Sequence, residues 1–128
     1  MEHLLHYVWK HKLFPLQILQ TTEGLRVEVI DSGLQNSDAG PDFFNAKLKI
    51  DGTLWVGNIE IHTHSSDWYR HGHNNDKAYD SVILHVVEEA DTEVTRSDGE
   101  TIPQLRLTCP ENIQTHYHEL CRADQYPA

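Results

Sequence analysis

Basic side chains are scarce in this chain: ten Lys plus Arg stand against twenty Asp plus Glu, a formal net charge of −10 with histidine neutral. Non-specific affinity for nucleic acid comes mostly from lysine and arginine displacing counterions, so this balance argues against a free-standing DNA binder. It does not exclude a nuclease, because carboxylates at a metal site count against the total until an ion binds. Cysteine is nearly absent, and Cys109 and Cys121 form no CxxC pattern. The expectation is two unpaired cytosolic thiols rather than a disulfide or zinc site. No run approaches the ~20 apolar residues of a membrane span, and the first residues lack the cationic start of a secretory signal. A cytoplasmic protein with no membrane partner is therefore expected. No GxGxxG or GxxxxGK sequence occurs, and no serine sits in a nucleophile elbow, so neither nucleotide cradle nor activated serine is indicated.

What the chain does have is histidine, ten in 128 residues, five of them between His62 and His85. The length fits one domain, residues 1–128, able to bury most of the surface exposed when unfolded. Leu4, Leu5, Val8 and Trp9 give Glu2 to Lys12 the stripe of an amphipathic helix, which Pro15 limits. Leu25 to Ile30 alternates as a strand, and residues 31–42 read as a loop of about a dozen residues, a length often functional. Phe43 to Ile50, the Asp51-Gly52 turn and Thr53 to about Thr63 read as a hairpin. Ser65 and Ser66 are placed to cap a short helical turn through Trp68 and Arg70, with a further short helix near Lys77. Val82, Ile83, Leu84, Val86 and Val87 mark a strand covered on both faces. Glu93 to Arg96 and Thr101 to Leu107 read as a second hairpin, with Pro103 making the latter arm an exposed edge. A final helix is expected from Pro110 to Cys121. The fold class is α/β of the α+β kind, a mixed central sheet whose meander is flanked by helices.

The chemistry concentrates between Asn36 and His64. Glu60, His62 and His64 alternate along one strand and point the same way, about 6.5–7 Å apart in steps of two. Ile59 and Ile61 take the opposite face, so a carboxylate inside that strand either faces solvent or is compensated by a cation. Asp42 follows Pro41 where the loop enters the preceding strand, and it can meet them one hairpin arm away. Two acids and an imidazole around one cation is the expected site: Asp42, Glu60 and His62 in the chemistry, with His64 added as a metal ligand.

Pro41-Asp42 followed by Glu60-Ile61-His62 resembles the motif of the PD-(D/E)xK nuclease superfamily. That resemblance implies a restriction-endonuclease-like core of helix, three-stranded meander, helix and further strand. It also implies Mg2+ or Mn2+ held by Asp42 and Glu60, and phosphodiester hydrolysis with nucleic acid as partner. The chain departs from the motif at His62, which stands where the lysine belongs. Lys47 and Lys49 are the nearest substitutes and lie out of phase with Asp42 in a regular strand. A histidine there can orient or deprotonate water near neutral pH.

A second resemblance covers nearly the whole chain. It rests on Trp9, Thr21-Thr22-Glu23-Gly24-Leu25, the segment from Asn36 to Phe43, Gly57 to His62, Asp67-Trp68, His71-Gly72-His73 and Val82 to Val87. Together these are similar to a bacterial family of unknown function, chiefly from Bacteroidetes, whose members are longer; residues 1–128 look like an N-terminal piece. A separate candidate site uses histidine alone: His62-x-His64, His71-x-His73 and His85, with Glu60 or Asp67, as a zinc, iron or manganese centre of cupin-like type. Its competing readings are an aromatic lid with Trp68 inward and His71 and His73 exposed, and His85 as a hydrogen-bonded core residue. No role is assigned to His3, His6, His11, His116 or His118. The third functional class is an interaction module that kept the fold and lost the chemistry.

Overall fold

The computed structural model describes residues 2–14 and 19–108. The expected helix from Pro110 to Cys121, and both cysteines, lie outside the described residues. Helix α1 (Glu2–Lys10) buries Leu4, Leu5, Val8 and Trp9, the stripe its spacing predicts. Trp9 is fully buried, and its Nε1–H donates to the Ser32 carbonyl at 2.9 Å, satisfying the polar end of the indole. The helix stops two residues short of Lys12, which takes φ 53° and donates its ammonium to the Ile30 carbonyl at 2.8 Å.

Among the described residues seven strands follow: β1 (Leu19–Gln20), β2 (Arg26–Asp31), β3 (Leu34–Gln35), β4 (Phe43–Ile50), β5 (Thr53–His64), β6 (Val82–Glu89) and β7 (Gln104–Arg106). They form one mixed sheet in the order β1-β2-β4-β5-β6-β7, with β3 on β4. The β2-β4-β5 meander is antiparallel, whereas β6 runs parallel to β5 and β7 parallel to β6. A parallel pair needs a long crossover, and residues 65–81 supply it with helix α2 (Asp67–Arg70) and two 3-10 turns, His73–Asn75 and Lys77–Tyr79. The fold is thus mixed α+β, with a large sheet and few helices.

Three expectations change. The arm expected as an exposed edge is covered: Thr21 bridges Leu105, and the Thr22 N–H donates to the Gln104 carbonyl at 2.8 Å. That contact between the outer strands makes the sheet nearly closed and barrel-like. The expected second hairpin shrinks to one bridge, Thr95 to Thr101, because the arm pairs with β6 instead. Ser66 sits at the α2 N-cap without a side-chain cap bond; its hydroxyl donates to Asp91 Oδ2 at 2.7 Å, and that of Ser65 to Oδ1 at 2.8 Å.

The main core packs Leu5, Val8 and Trp9 of α1 against Phe43, Leu48, Ile59, Ile61, Leu84 and Val86. A second cluster of Trp68, Tyr79, Val82, Val94 and Ile102 forms beneath the crossover. Glu60 and His62 are buried although Ile59 and Ile61, on the opposite face, are buried too. Both faces of β5 are therefore covered at this end, and its alternation turns two polar side chains into the interior. Gly57 permits the close approach of β5 and β6 just before it: a Cβ there would lie 2.5 Å from Ile83 Cγ2 and 2.9 Å from the Ser81 carbonyl oxygen. Gly57→Ala should cost about 1–3 kcal/mol, read as a lower urea midpoint at unchanged slope.

Candidate metal centre

The loop before β4 is built around Asn36, whose Nδ2 donates to the carbonyls of Asp38, Ala39 and Pro41 at 3.2, 3.0 and 3.0 Å. This clamp delivers Asp42 to the start of β4. There the Asp42 N–H donates to Glu60 Oε1 at 3.1 Å, and the Ile61 N–H donates to Asp42 Oδ2 at 2.8 Å. The two acids predicted to meet do meet. Burial, and then the Asp42 charge, push the Glu60 carboxyl up to about 10. Burial works against Asp42 as well, but hydrogen bonds with His6 and Glu60, the His6 charge and the Ile61 N–H outweigh it and hold Asp42 low. One proton is shared unequally between two carboxyls, and it resides on Glu60.

His62 joins them from β5, only 2% exposed, with Nε2 3.4 Å from Glu60 Oε2. His71 and His73, read from the sequence as part of a separate site or as an exposed lid, belong to the same cluster. Gly72 takes φ 72°, a left-handed turn that non-glycine residues resist, and it folds both neighbours back onto β5. His71 stays exposed at the mouth, with Nδ1 3.2 Å from His62 Nε2. His73 is buried rather than exposed, stacked on Tyr79 with ring centroids 3.6 Å apart and edge-on to Trp68 at 5.2 Å. Its Nε2 lies 2.8 Å from Glu60 Oε2, yet outside hydrogen-bond geometry, so among the described residues neither ring nitrogen has a hydrogen-bond partner.

Burial first, with neighbouring imidazoles second, depresses His62 to about 3 and His73 to about 4. Burial likewise lowers His85 to about 4, against the opposing effect of the hydrogen bond it donates to Gln104. Imidazole nitrogens are metal ligands, and those of His62, His71 and His73 bring ligand atoms within 4.8 Å of one another. Donor atoms about 2.1 Å from a shared ion lie about 3.0 Å apart as octahedral neighbours and about 3.4 Å apart in a tetrahedron. The three close approaches here, 2.8, 3.2 and 3.4 Å, fall around those values. Among the described residues the ion-pair partners of Asp42 and Glu60 are histidines, and none is lysine or arginine. A buried Glu60 and a half-buried Asp42, neither paired with lysine or arginine among the described residues, together with orphaned imidazole nitrogens fit a metal ion.

Other sequence candidates lie elsewhere. His64, the last residue of β5, is outside the cluster at the rim, its Nε2 3.0 Å from Glu89 Oε2. His85 contacts the cluster as a fully buried, hydrogen-bonded residue: its Nε2 lies 2.7 Å from His62 Nδ1, its Nδ1 2.9 Å from Gln104 Oε1. Lys47 and Lys49 are exposed, paired in register with Val56 and Leu54 away from Asp42. The sequence alone assigns His6 no role, yet its Nε2 lies 3.4 Å from Asp42 Oδ2. The available signal was its place beside the buried Leu5 on α1, with Glu2 one turn earlier.

Fold and site together define a mixed α+β protein with a histidine-rich candidate metal centre. Residues 2–128 match the family described as Protein of unknown function (DUF2851), and the chain belongs to it. No curated protein and no solved structure matches the chain. Among the described residues no helix is long and apolar enough to cross a membrane.

Proposed function

We propose that this domain is a divalent-metal-dependent hydrolase of nuclease type, acting on phosphodiesters, with the ion held by His62, His71 and His73 and with Glu60 as fourth donor. The observation that carries the reading is the convergence of three imidazoles whose ligand atoms lie within 4.8 Å of one another, two of them within 3.4 Å of Glu60 Oε2. Support for a restriction-endonuclease-like core comes from the order of α1, the β2-β4-β5 meander, the α2 crossover and parallel β6. Imidazole-rich donors favour Zn2+ or Fe2+, whereas oxygen-rich sites take Mg2+ or Mn2+. A bound ion would lower the pKa of its water toward neutrality and so supply the hydroxide. Asp42, ionised and anchored by the Ile61 N–H, stands beside Glu60, which would give up its proton on taking the ion and leave Asp42 to accept one from the attacking water. His71, exposed at the mouth, leaves the centre open to a substrate phosphate.

A second reading, a His-rich metal protein without hydrolysis, is favoured by one observation: among the described residues no lysine is paired with Asp42 or Glu60, the place of the motif's cation. The parallel β5-β6 and β6-β7 pairs set such a centre apart from the antiparallel jelly roll of cupins. Protein purified without chelator or histidine tag should carry about one equivalent of transition metal by elemental analysis. It should also cleave single- or double-stranded DNA or RNA, and lose that cleavage in Asp42→Asn. Metal without cleavage selects the second reading. No metal uptake and no cleavage selects the interaction module.

A further inference from the structure

We infer that Gln104 is a positioning residue: through His85 it fixes which ring nitrogen of His62 carries the proton, so that His62 presents a bare Nε2 to the centre. Glu60, His85 and Gln104 are register partners across β5, β6 and β7, and the relay crosses the three strands from there. Gln104 Nε2 donates to the Thr92 carbonyl at 2.8 Å. That bond fixes the orientation of the amide, because the flipped amide would set two acceptor oxygens against each other. Gln104 Oε1 therefore faces His85 Nδ1, at 2.9 Å. An amide oxygen only accepts, so His85 carries its proton on Nδ1 and donates.

His85 is fully buried, and its ring hydrogen-bonds an amide and an imidazole. Neither partner is an anion, and a desolvated imidazolium without one is strongly disfavoured. The ring then has one N–H, already committed to Gln104, and its Nε2 must accept. The atom facing it is His62 Nδ1, at 2.7 Å, which donates. His62 in turn has spent its only N–H. Its Nε2 is left as a lone pair 3.4 Å from Glu60 Oε2 and 3.2 Å from His71 Nδ1. Each step follows from the one before it, and the chain starts at a backbone carbonyl that cannot donate.

The consequence is a ligand set before any ion arrives, with ring orientation and tautomer held by the sheet. That consequence rests on the metal reading proposed above; the tautomers themselves do not. Long-range 1H–15N correlation on the metal-free, 15N-labelled protein reads them directly. Protonated Nδ1 and bare Nε2 are expected on both His62 and His85, and the opposite tautomer on either overturns the inference. Gln104→Met keeps the volume and removes the acceptor. The His62 signal should then become a mixture of tautomers, and Zn2+, titrated as the chloride, should bind about 10- to 100-fold more weakly. An unchanged tautomer with unchanged affinity overturns it, and should the variant fail to fold, the wild-type ring nitrogens still decide. Predicted tautomers without Zn2+ binding sink the metal reading alone. Reversed tautomers with Zn2+ bound sink this inference alone.

Discussion

Glu60→Gln should raise the melting temperature of the metal-free protein at pH 7 by about 3–8 °C and abolish the further rise on adding Zn2+ or Mn2+. Both effects come from one carboxyl. Folded, Glu60 holds a proton up to about 10, whereas in the unfolded chain it ionises near 4.5. Unfolding at neutral pH therefore releases a proton, and that release favours the unfolded state. Glutamine never ionises, so it removes this drive; its oxygen can still accept from the Asp42 N–H, as Glu60 Oε1 does at 3.1 Å. The gain is about 1–2 kcal/mol. A neutral amide oxygen is a weak ligand, so the stabilisation by metal goes with the charge. A metal-dependent shift of wild-type size in Glu60→Gln would remove Glu60 from the donor set.

The second large effect is the pH dependence of the metal-free protein. His62, His73 and His85 have folded pKa values of about 3, 4 and 4, below the ordinary 6.5. Below pH 6.5 the unfolded chain binds protons that the folded one refuses, so stability is present above 6.5 and lost as pH falls toward 4. Each group contributes at most about 1.4 kcal/mol per pH unit, against a total stability of about 5–15 kcal/mol. Acid unfolding is expected near pH 4–5 by circular dichroism. Glu60 works in the other direction, removing stability as pH rises from 4.5 through about 10. The metal-free wild type should thus be most stable at mildly acidic pH. Glu60→Gln should lose the alkaline decline and keep the acid one. A wild-type profile flat from pH 7 to 4 would mean the imidazoles are not buried neutral.

Several pieces of the site were legible because they obey local rules. Alternation along β5 put Glu60 and His62 on one face, and the Pro41-Asp42 turn at the head of β4 brought the second acid to them. His71 and His73 were legible as donors but not as part of the same cluster, because the path of residues 65–81 is set by tertiary packing of Trp68 and Tyr79. His64 was overcounted: strand period treats the last residue of β5 like the interior ones, while the chain turns away there toward Glu89. Gln104 had no signal at all. Its meeting with His85 depends on parallel pairing and on closure of β1 against β7, and β1, at two residues, has no period to read. His6 failed for a related reason, since the flank of a helix stripe looks equally wet or site-facing until the sheet beside it is known.

X-ray absorption at the metal edge, on tag-free protein loaded with one equivalent of Zn2+, most directly tests whether these donors share one ion. A first shell of three imidazole nitrogens and one carboxylate oxygen at about 2.0–2.2 Å is predicted, reduced by one light ligand in Glu60→Gln. A shell of water oxygens, or the same spectrum in both proteins, would contradict it.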